Sequence, residues 1–257
     1  MNTLKPMLAL VAILLPLSQA AAKDLRVRIG AGAELRPEYP GADSSEIAFD
    51  PEFGVASGDQ PFTLGAPDDS FAISLFSSGG FSAGPVLGLS PARRDSDVGA
   101  PVGDVSRAIE LGGFLQYYVG ESIRLRGELR HALGGHDGLT GFVGADYVAR
   151  DADLYTFSIG PRVRFGGSGY MDSYFGVSPA VALLTGLPAY DPDAGIRSVG
   201  AISGFTYSLF GPIGLYGFAR YDRLVGDAKD SPIVRQFGSP DQFSAGLGLS
   251  YTFNIDL

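Results

Sequence analysis

The sequence predicts an all-β fold, a transmembrane antiparallel up-and-down β-barrel of about twelve strands, with ten strands as the alternative. Apolar and polar residues alternate with a period of two over stretches of about eleven residues, the length of a tilted membrane strand. Glycine is abundant (37 residues) and aromatic residues make up 11% of the chain, whereas charged residues make up only 18%. Such a composition suits a sheet with one face in lipid.

The first 22 residues have the features of a secretory signal peptide. Lys5 supplies a positive charge, residues 7–17 are almost wholly apolar, and residues 18–22 end in small side chains that suit cleavage. The apolar stretch is too short for a helix that crosses a bilayer, which needs about 20 residues. We therefore expect removal of residues 1–22, and we expect residues 23–257 to form the barrel in the cell outer membrane.

The clearest strand signal lies at residues 123–133. Leu125 and Leu129 fall on one face of this strand, and Arg124 and Arg126 fall on the other. Because successive side chains point to opposite faces of a strand, the apolar face is expected to contact lipid and the charged face to line the lumen.

The same alternation and the turn signals between its repeats define the other strands. Pro51 and Pro61 weaken two of the predicted strands, because proline cannot donate to a sheet ladder. Short turns are expected in the periplasm and long loops outside. The longest loop, residues 166–195, is expected to form a short helix or hairpin over the mouth, or else two more strands. The predicted strands lie near 25–35, 46–56, 60–65, 70–77, 81–89, 107–119, 122–133, 139–149, 154–165, 196–209, 214–224 and 242–253.

Charge and residue types exclude several functions. The formal net charge is -9, which disfavours nucleic acid as a partner. The chain has no cysteine and only two histidines, His131 and His136, so neither a metal nor another cofactor is expected. The loop serines have no histidine obviously placed to activate them, and no G-x-S-x-G motif occurs. The chain is therefore predicted not to be an enzyme.

One set of candidate site residues is a charged network that faces the lumen. The charges could line a pore that selects anions, or they could pair with one another and fill a narrow barrel. Open porins need about sixteen to eighteen strands, so a barrel of ten to twelve favours the filled lumen. The network consists of Arg26, Arg28, Glu110, Arg124, Arg126, Glu128, Arg130, Asp146, Arg162, Arg164, Arg220 and Asp222.

A second set of candidate residues lies in loop motifs, within 39–43, 135–138, 174–177, 185–190 and 226–234. Taken together and in this order, the motifs resemble the MipA/OmpV family of MltA-interacting outer-membrane proteins, over essentially the whole mature chain. Pro40, Gly41 and Pro232 are expected to shape loops, and Ser231 or Asp230 to cap local backbone donors. The signature residues are Tyr39, Pro40, Gly41, His136, Asp137, Gly138, Tyr174, Phe175, Gly176, Asp227, Asp230, Ser231 and Pro232.

The resemblance implies a non-enzymatic scaffold that bridges a lytic transglycosylase and a bifunctional peptidoglycan synthase at the outer membrane. The expected partners are these two enzymes, outer-membrane lipid and lipopolysaccharide, and the barrel-assembly machinery. Other family members are described as surface antigens and adhesins. Two alternatives stay open: a narrow channel for small solutes or antibiotics, and an adhesin that acts through residues 166–195.

Overall fold

The structure is a computed structural model that describes residues 24–255, so the predicted signal peptide lies outside the described residues. Twelve antiparallel strands form one strongly curled sheet, which confirms the predicted all-β barrel. The strands are β1 (Leu25–Pro37), β2 (Ser45–Ser57), β3 (Phe71–Ala72), β4 (Phe76–Ser78), β5 (Phe81–Ser90), β6 (Ala108–Val119), β7 (Ile123–Leu133), β8 (Leu139–Asp151), β9 (Tyr155–Gly166), β10 (Gly195–Phe210), β11 (Ile213–Leu224) and β12 (Asp241–Ile255).

The strands follow one another around the wall in chain order. From β5 to β12 each strand pairs with the next, and β12 also pairs with β1, where Leu25 lies opposite Ile255. β2 pairs with β1 on its other side. Within residues 24–255, no backbone hydrogen bond joins β2 to β3 or β4. We call this gap, with β2 on one side and β3, β4 and β5 on the other, the seam.

The two ends of the barrel differ in the length of their connections. The short turns mark the periplasmic end, where β1 begins and β12 ends, and the long loops mark the outer end. The short turns are residues 79–80, 120–122, 152–154 and 211–212, and the long loops are residues 38–44, 91–107, 134–138, 167–194 and 225–240.

The outside of the barrel is apolar. On β7, Leu125 and Leu129 are 42% and 51% exposed, whereas Arg124 and Glu128 beside them are buried. The same arrangement recurs from strand to strand and surrounds the wall with exposed leucine, isoleucine, valine and aromatic side chains. Such an apolar surface is stable only in lipid. Among the described residues, none of the helices is long and apolar enough to cross a membrane.

The prediction of a strand at residues 60–65 is wrong. After β2 the chain enters the lumen, and we call residues 58–70 the interior segment. Phe62 is buried there beneath Arg28, whose guanidinium carbon lies 4.0 Å from the ring centroid. The prolines at 61 and 67 cannot donate to a sheet ladder, which explains why this stretch does not join the wall. The expected strand 70–77 is split into β3 and β4, so the number of strands remains twelve.

The outer loops fold into short helices that pack over the mouth of the barrel. The longest loop forms helices α2 and α3 rather than two further strands. Two clusters of buried apolar side chains, from four of the five outer loops and adjoining residues, hold these helices together, and we call the assembly the outer cap. Its helices are α1 (Asp95–Val98), α2 (Ser168–Phe175), α3 (Pro179–Thr185), α4 (Gly226–Asp230) and α5 (Pro232–Phe237).

Candidate functional site

Asp68 of the interior segment joins the segment to strand β9. Its carboxylate accepts hydrogen bonds from Arg162 Nε at 2.9 Å and from Arg164 Nη2 at 2.6 Å. The wall supplies further acids to the same arginines, with Asp146 at 2.8 Å from Arg162 and Asp222 at 3.2 Å from Arg164. All these side chains are nearly inaccessible, and a buried charge needs a partner, so the ion pairs fix the segment against the wall.

Asp69 makes the equivalent contacts with strand β7. Both of its carboxylate oxygens lie 2.6 Å from Arg124 Nη2, and Asp69 Oδ1 lies 3.3 Å from Arg126 Nε. Glu128 then lies between Arg126 and Arg130, at 2.6 Å from each guanidinium. The Ser70 N–H also donates to Glu128 at 3.2 Å. The interior segment therefore completes a continuous charged layer across the lumen.

Glu110 extends the charged layer toward the outer end. It accepts hydrogen bonds from Arg130 Nε at 2.7 Å and from the Thr140 hydroxyl at 3.1 Å. Ser90 and His136 contact the same carboxylate, with His136 Nε2 at 3.2 Å. All of these except Arg130 are buried side chains, so Glu110 links the charged layer to the loop that carries His136.

The remaining residues of the predicted network lie at the two ends of the lumen. Arg26 pairs with Asp153 in a periplasmic turn, and its Nε donates to the Gly58 carbonyl oxygen at 2.8 Å. Arg28 stacks on Phe62 of the interior segment. Arg220 donates to Ser244 Oγ at 3.0 Å and lies 3.5 Å from Asp222. The structure thus places all twelve predicted charges on the inner face and distributes them along the lumen.

Asp68 and Asp69 are the site residues that sequence reasoning missed. The twelve predicted charges comprise eight arginines and four acids, an imbalance that buried groups cannot sustain. The excess of positive charge was the signal that further acids must enter the lumen from outside the strand pattern. The adjacent acids that follow Pro67 are the pair that enters it.

Two cavities lie in the lumen, one toward each end. The cavity at the periplasmic end has a volume of about 150 Å³ and is lined by Arg26, Phe62 and Asp153, among others. The outer cavity has a volume of about 710 Å³, and no residue lines both. The charged groups around the outer cavity are the arginines 36, 107, 130, 164, 197 and 220 and the acids 68, 69, 110 and 222.

The signature motifs of the loops meet one another in the outer cap. The Ser231 hydroxyl donates to the Phe175 carbonyl oxygen at 2.7 Å and accepts from the Ile233 N–H at 3.3 Å. Ser231 therefore caps α5, where Pro232 occupies the first turn, and ties that helix to the end of α2. Gly176 ends α2 and donates its N–H to the Asp172 carbonyl oxygen.

The first outer loop, residues 38–44, is packed so closely that no side chain fits at Gly41. Tyr39 is buried, Pro40 lies beside it at the outer cavity, and Gly41 has a φ of +96°. A side chain at Gly41 would meet Val234 Cγ2 at 2.8 Å, so the left-handed backbone and the close approach both require glycine there. The Gly41 N–H donates to the side chain of Gln242 at 3.0 Å.

The histidine loop, residues 134–138, and the fifth long loop, residues 225–240, complete the outer cap. The His136 ring packs against Tyr170 with centroids 4.9 Å apart, Asp137 adopts a positive φ, and Gly138 lies so close to Tyr170 that a Cβ would clash. Asp227 accepts from the Asp193 N–H at 2.7 Å and from the Tyr190 hydroxyl through its carbonyl oxygen. Asp230 is exposed at the end of α4.

Burial shifts the pKa values of Tyr174 and Arg93 in the outer cap. The Tyr174 hydroxyl donates to the Pro91 carbonyl oxygen at 2.6 Å, and burial raises the pKa of Tyr174 well above its ordinary value. Burial likewise lowers the pKa of Arg93, whose guanidinium donates to the Tyr174 carbonyl oxygen at 2.7 Å. The two hydrogen bonds join α2 to the loop that contains α1.

Ser90, His136 and Glu110 form a serine, histidine and acid cluster, but its geometry does not suit nucleophilic catalysis. Ser90 Oγ and Glu110 both contact the same ring nitrogen, Nε2 of His136, at 3.0 and 3.2 Å. The Gly138 N–H donates to the other nitrogen, Nδ1. Nδ1 is therefore the acceptor and Nε2 carries the proton, so the ring cannot take a proton from Ser90. Within residues 24–255, no group of histidines and acids has the arrangement of a metal site.

Comparisons with known proteins identify a family. The model of the family described as MltA-interacting protein MipA matches residues 29–253. No curated protein matches the chain.

Among solved structures, the chain resembles an outer membrane channel from Pseudomonas putida F1, with a TM-score of 0.40, 11% identity, and coverage of 92% of this chain and 97% of that chain. Neisserial surface protein A gives a TM-score of 0.29, 10% identity, and coverage of 89% and 97%. OprG from Pseudomonas aeruginosa gives a TM-score of 0.27 and 12% identity, with coverage of 90% of this chain and 96% of that chain. TM-scores this low carry no information about function.

Proposed function

Because the chain belongs to the MipA family and forms an outer-membrane β-barrel, we propose that it is a non-enzymatic scaffold that links the outer membrane to peptidoglycan-remodelling enzymes. Its partners on this proposal are a lytic transglycosylase and a peptidoglycan synthase. The family name supports the first of them, since the described family is that of MltA-interacting proteins.

The observation that carries the proposal is the filled lumen. Asp68 and Asp69 pair with arginines of β7 and β9 across the middle of the barrel, and the two cavities on either side share no lining residue. A lumen crossed by paired charges in this way supports a scaffold rather than a pore. A rigid barrel that is fixed in the membrane can hold partner proteins in place, as a scaffold must.

The periplasmic end offers a small acidic surface for such partners. Asp59, Glu121 and Asp151 are exposed at the start of the interior segment, in a short turn and at the end of β8. Among residues 24–255, the exposed basic neighbour at these positions is Arg150. None of the three acids has a side-chain partner in the described part of the chain. An exposed acidic rim attracts a basic partner surface, and its contribution falls as salt rises.

Binding measured with purified components tests the proposal. The mature barrel in lipid nanodiscs is titrated with a lytic transglycosylase, and the variant Asp59→Asn/Glu121→Gln/Asp151→Asn is compared with the wild type. We expect the apparent Kd of the variant to rise about tenfold, since each rim charge affects long-range attraction modestly. The matched control neutralises three exposed acids of the outer loops, Asp43→Asn/Asp191→Asn/Asp193→Asn, and is expected to bind like the wild type. Absence of binding by the wild type would contradict the proposal.

The adhesin alternative is favoured by one observation. Leu183 and Leu184 of α3 are 89% and 74% exposed at the outer end of the barrel. Exposed apolar pairs of this kind mark contact surfaces. If this pair carries adhesion, the variant Leu183→Ser/Leu184→Ser will reduce attachment of cells that display the protein, whereas the periplasmic triple variant will leave attachment unchanged.

A further inference from the structure

Strand β10 carries a β-bulge at its outer end that turns two consecutive side chains toward the lumen. In the pairing of β10 with β9, Ile196 lies opposite Phe165 and Ser198 lies opposite Arg164, so Arg197 is the extra residue of the bulge. Ile196 is exposed on the outer face, whereas Ser198 is buried, and both Arg197 and Ser198 line the outer cavity. Strict alternation would send one of these two to the lipid face, so the bulge re-aims a side chain into the cavity.

Both of these inward side chains carry donors that lack protein acceptors. Ser198 is 1% exposed and its Oγ makes no hydrogen bond, and Arg197 Nε is likewise buried without a partner. Within residues 24–255, the Arg197 guanidinium makes no ion pair and stacks on Tyr170, with its carbon 4.8 Å from the ring centroid. Buried donors without acceptors are costly, so two of them beside one cavity point to a ligand that accepts hydrogen bonds.

The ion pairs around the outer cavity leave an excess of positive charge. Four of the six arginines that line it pair with acids, whereas Arg107 and Arg197 have no ion pair in the described part of the chain. The free charge therefore suits an oxyanion, since a guanidinium binds a carboxylate or a phosphate through two parallel N–H bonds. The acids that line the cavity, all of them paired with arginines, are Asp68, Asp69, Glu110 and Asp222.

The outer cavity is larger than an isolated oxyanion requires. Its volume of about 710 Å³ lies in the range of pockets that hold small organic molecules. Tyr39, Pro40 and Tyr170 line it and supply apolar surface. Because Tyr170 also stacks on Arg197, some of this apolar surface lies directly beside the free cation. The cavity therefore suits an organic anion better than an inorganic one.

The cavity reaches the outer end of the barrel. Arg107 immediately precedes β6 at that end, is exposed, and lines the cavity. A ligand therefore arrives from the outer side of the membrane, where the free charge of Arg107 attracts anions.

We propose that the outer cavity binds a small organic anion that carries one carboxylate or phosphate group. Arg197 binds the oxyanion through its guanidinium, Ser198 donates its hydroxyl to it, and the organic part lies against Tyr170. This site stands apart from the proposed scaffold function, because it lies at the outer end and uses none of the acids of the periplasmic rim.

Isothermal titration calorimetry of the folded mature barrel tests the site. The protein is held in tetraethylene glycol monooctyl ether, a neutral detergent, and titrated at pH 7 with phenyl phosphate and with benzoate, one probe for each oxyanion. Inorganic phosphate presents the oxyanion alone, and phenol presents the ring without charge. We expect one-to-one binding of the tighter probe with a Kd at least tenfold below that of phenol and of inorganic phosphate. The order of the two probes identifies the preferred oxyanion.

Substitutions in the bulge test which residues hold the oxyanion. Arg197→Gln is expected to weaken the tighter probe about tenfold or more. The matched control is Arg235→Gln, which removes an exposed arginine of α5 that does not line the cavity, and it is expected to bind like the wild type. Ser198→Ala is expected to weaken binding about threefold and to leave the urea midpoint of the ligand-free barrel unchanged, because Ser198 Oγ has no protein partner to lose.

Four outcomes would overturn the proposal. If neither phenyl phosphate nor benzoate binds, the cavity is not an anion site. If phenol binds as tightly as the tighter probe, the oxyanion is irrelevant, and if inorganic phosphate does so, the organic part is irrelevant. If Arg197→Gln, folded as judged by heat-modifiable migration on gels, binds as tightly as Arg235→Gln, the anion sits elsewhere.

Discussion

Asp68 lies against Arg162, with its Oδ2 2.9 Å from the guanidinium Nε, although 94 residues separate the two in the chain. One residue belongs to a stretch without secondary structure and the other to the barrel wall. Their ion pair holds the interior segment inside the barrel, where the segment fills part of the lumen. The properties of the protein that we expect to be measurable follow mainly from this contact and from the outer cap.

Removal of the Asp68 charge should destabilise the barrel strongly. In Asp68→Asn, Arg162 and Arg164 lose a shared buried partner, and breaking a buried ion pair costs about 3–5 kcal/mol. We expect about 3 kcal/mol, because Arg162 keeps Asp146 and Arg164 keeps Asp222. Urea unfolding of the barrel in lipid vesicles measures this loss. Asp59→Asn, an exposed position on the same segment, serves as the control, and equal midpoints for the two variants would show that the contact is unimportant.

Leu129 tests the lipid-facing side of the wall. It lies in the middle of β7 and is half exposed on the apolar surface. Leu129→Arg should cost about 2–4 kcal/mol, since an arginine at the bilayer midplane must be desolvated, whereas Leu133→Arg at the outer end of the same strand should cost at most about 1 kcal/mol. Equilibrium folding into vesicles gives both values. Equal costs at the two depths would mean that this face does not span the bilayer.

Ser231 tests how the outer cap is held together. Ser231→Ala removes the cap of α5 and leaves the buried Phe175 carbonyl oxygen without its donor, so we expect a loss of about 1–3 kcal/mol in the stability of the outer cap. The rate of proteolysis in the outer loops reports this loss while the barrel stays intact. Ser178→Ala removes the exposed cap of α3 and should have a smaller effect. The opposite order would contradict the role given to Ser231.

The outer cap should open at alkaline pH. Burial raises the pKa of Tyr174 and of Tyr170 above the value of 10.0 that an exposed tyrosine has. A group whose pKa is raised by folding contributes stability that is complete below its unfolded pKa and is lost as pH rises through the folded value. Proteolysis of the outer loops should therefore accelerate above a pH of about 10. Tyr170→Phe/Tyr174→Phe should weaken this dependence, and an unchanged pH profile in that variant would refute the assignment.

The alternation of side chains predicted most of the wall, because burial in a barrel has a period of two and so does the strand. Arg124 and Leu129 fall on the faces that this period assigns to them. The strand predicted at 60–65 was wrong because short apolar stretches interrupted by proline carry no period. The path of residues 58–70 through the lumen depends on Asp68 and Asp69 meeting arginines far away in the chain, which no local pattern encodes.

The outer cap and the seam also exceeded what the sequence could predict. The helices α2 and α3 are short, and their packing against α5 rests on contacts such as Ser231 with Phe175. The motif residues were recognisable, but their mutual contacts were not. The seam results from the departure of the interior segment from the wall, so it could not be foreseen from a pattern that placed residues 60–65 in a strand.

The most direct test of the filled barrel is the conductance of the purified mature protein in planar lipid bilayers. The charged layer formed by Asp68, Asp69 and the arginines of β7 and β9 predicts electrically silent insertions, with folding verified by heat-modifiable migration on gels. Stable single-channel steps from the wild-type protein would contradict the filled lumen, and with it the proposal that this barrel acts as a scaffold rather than as a pore.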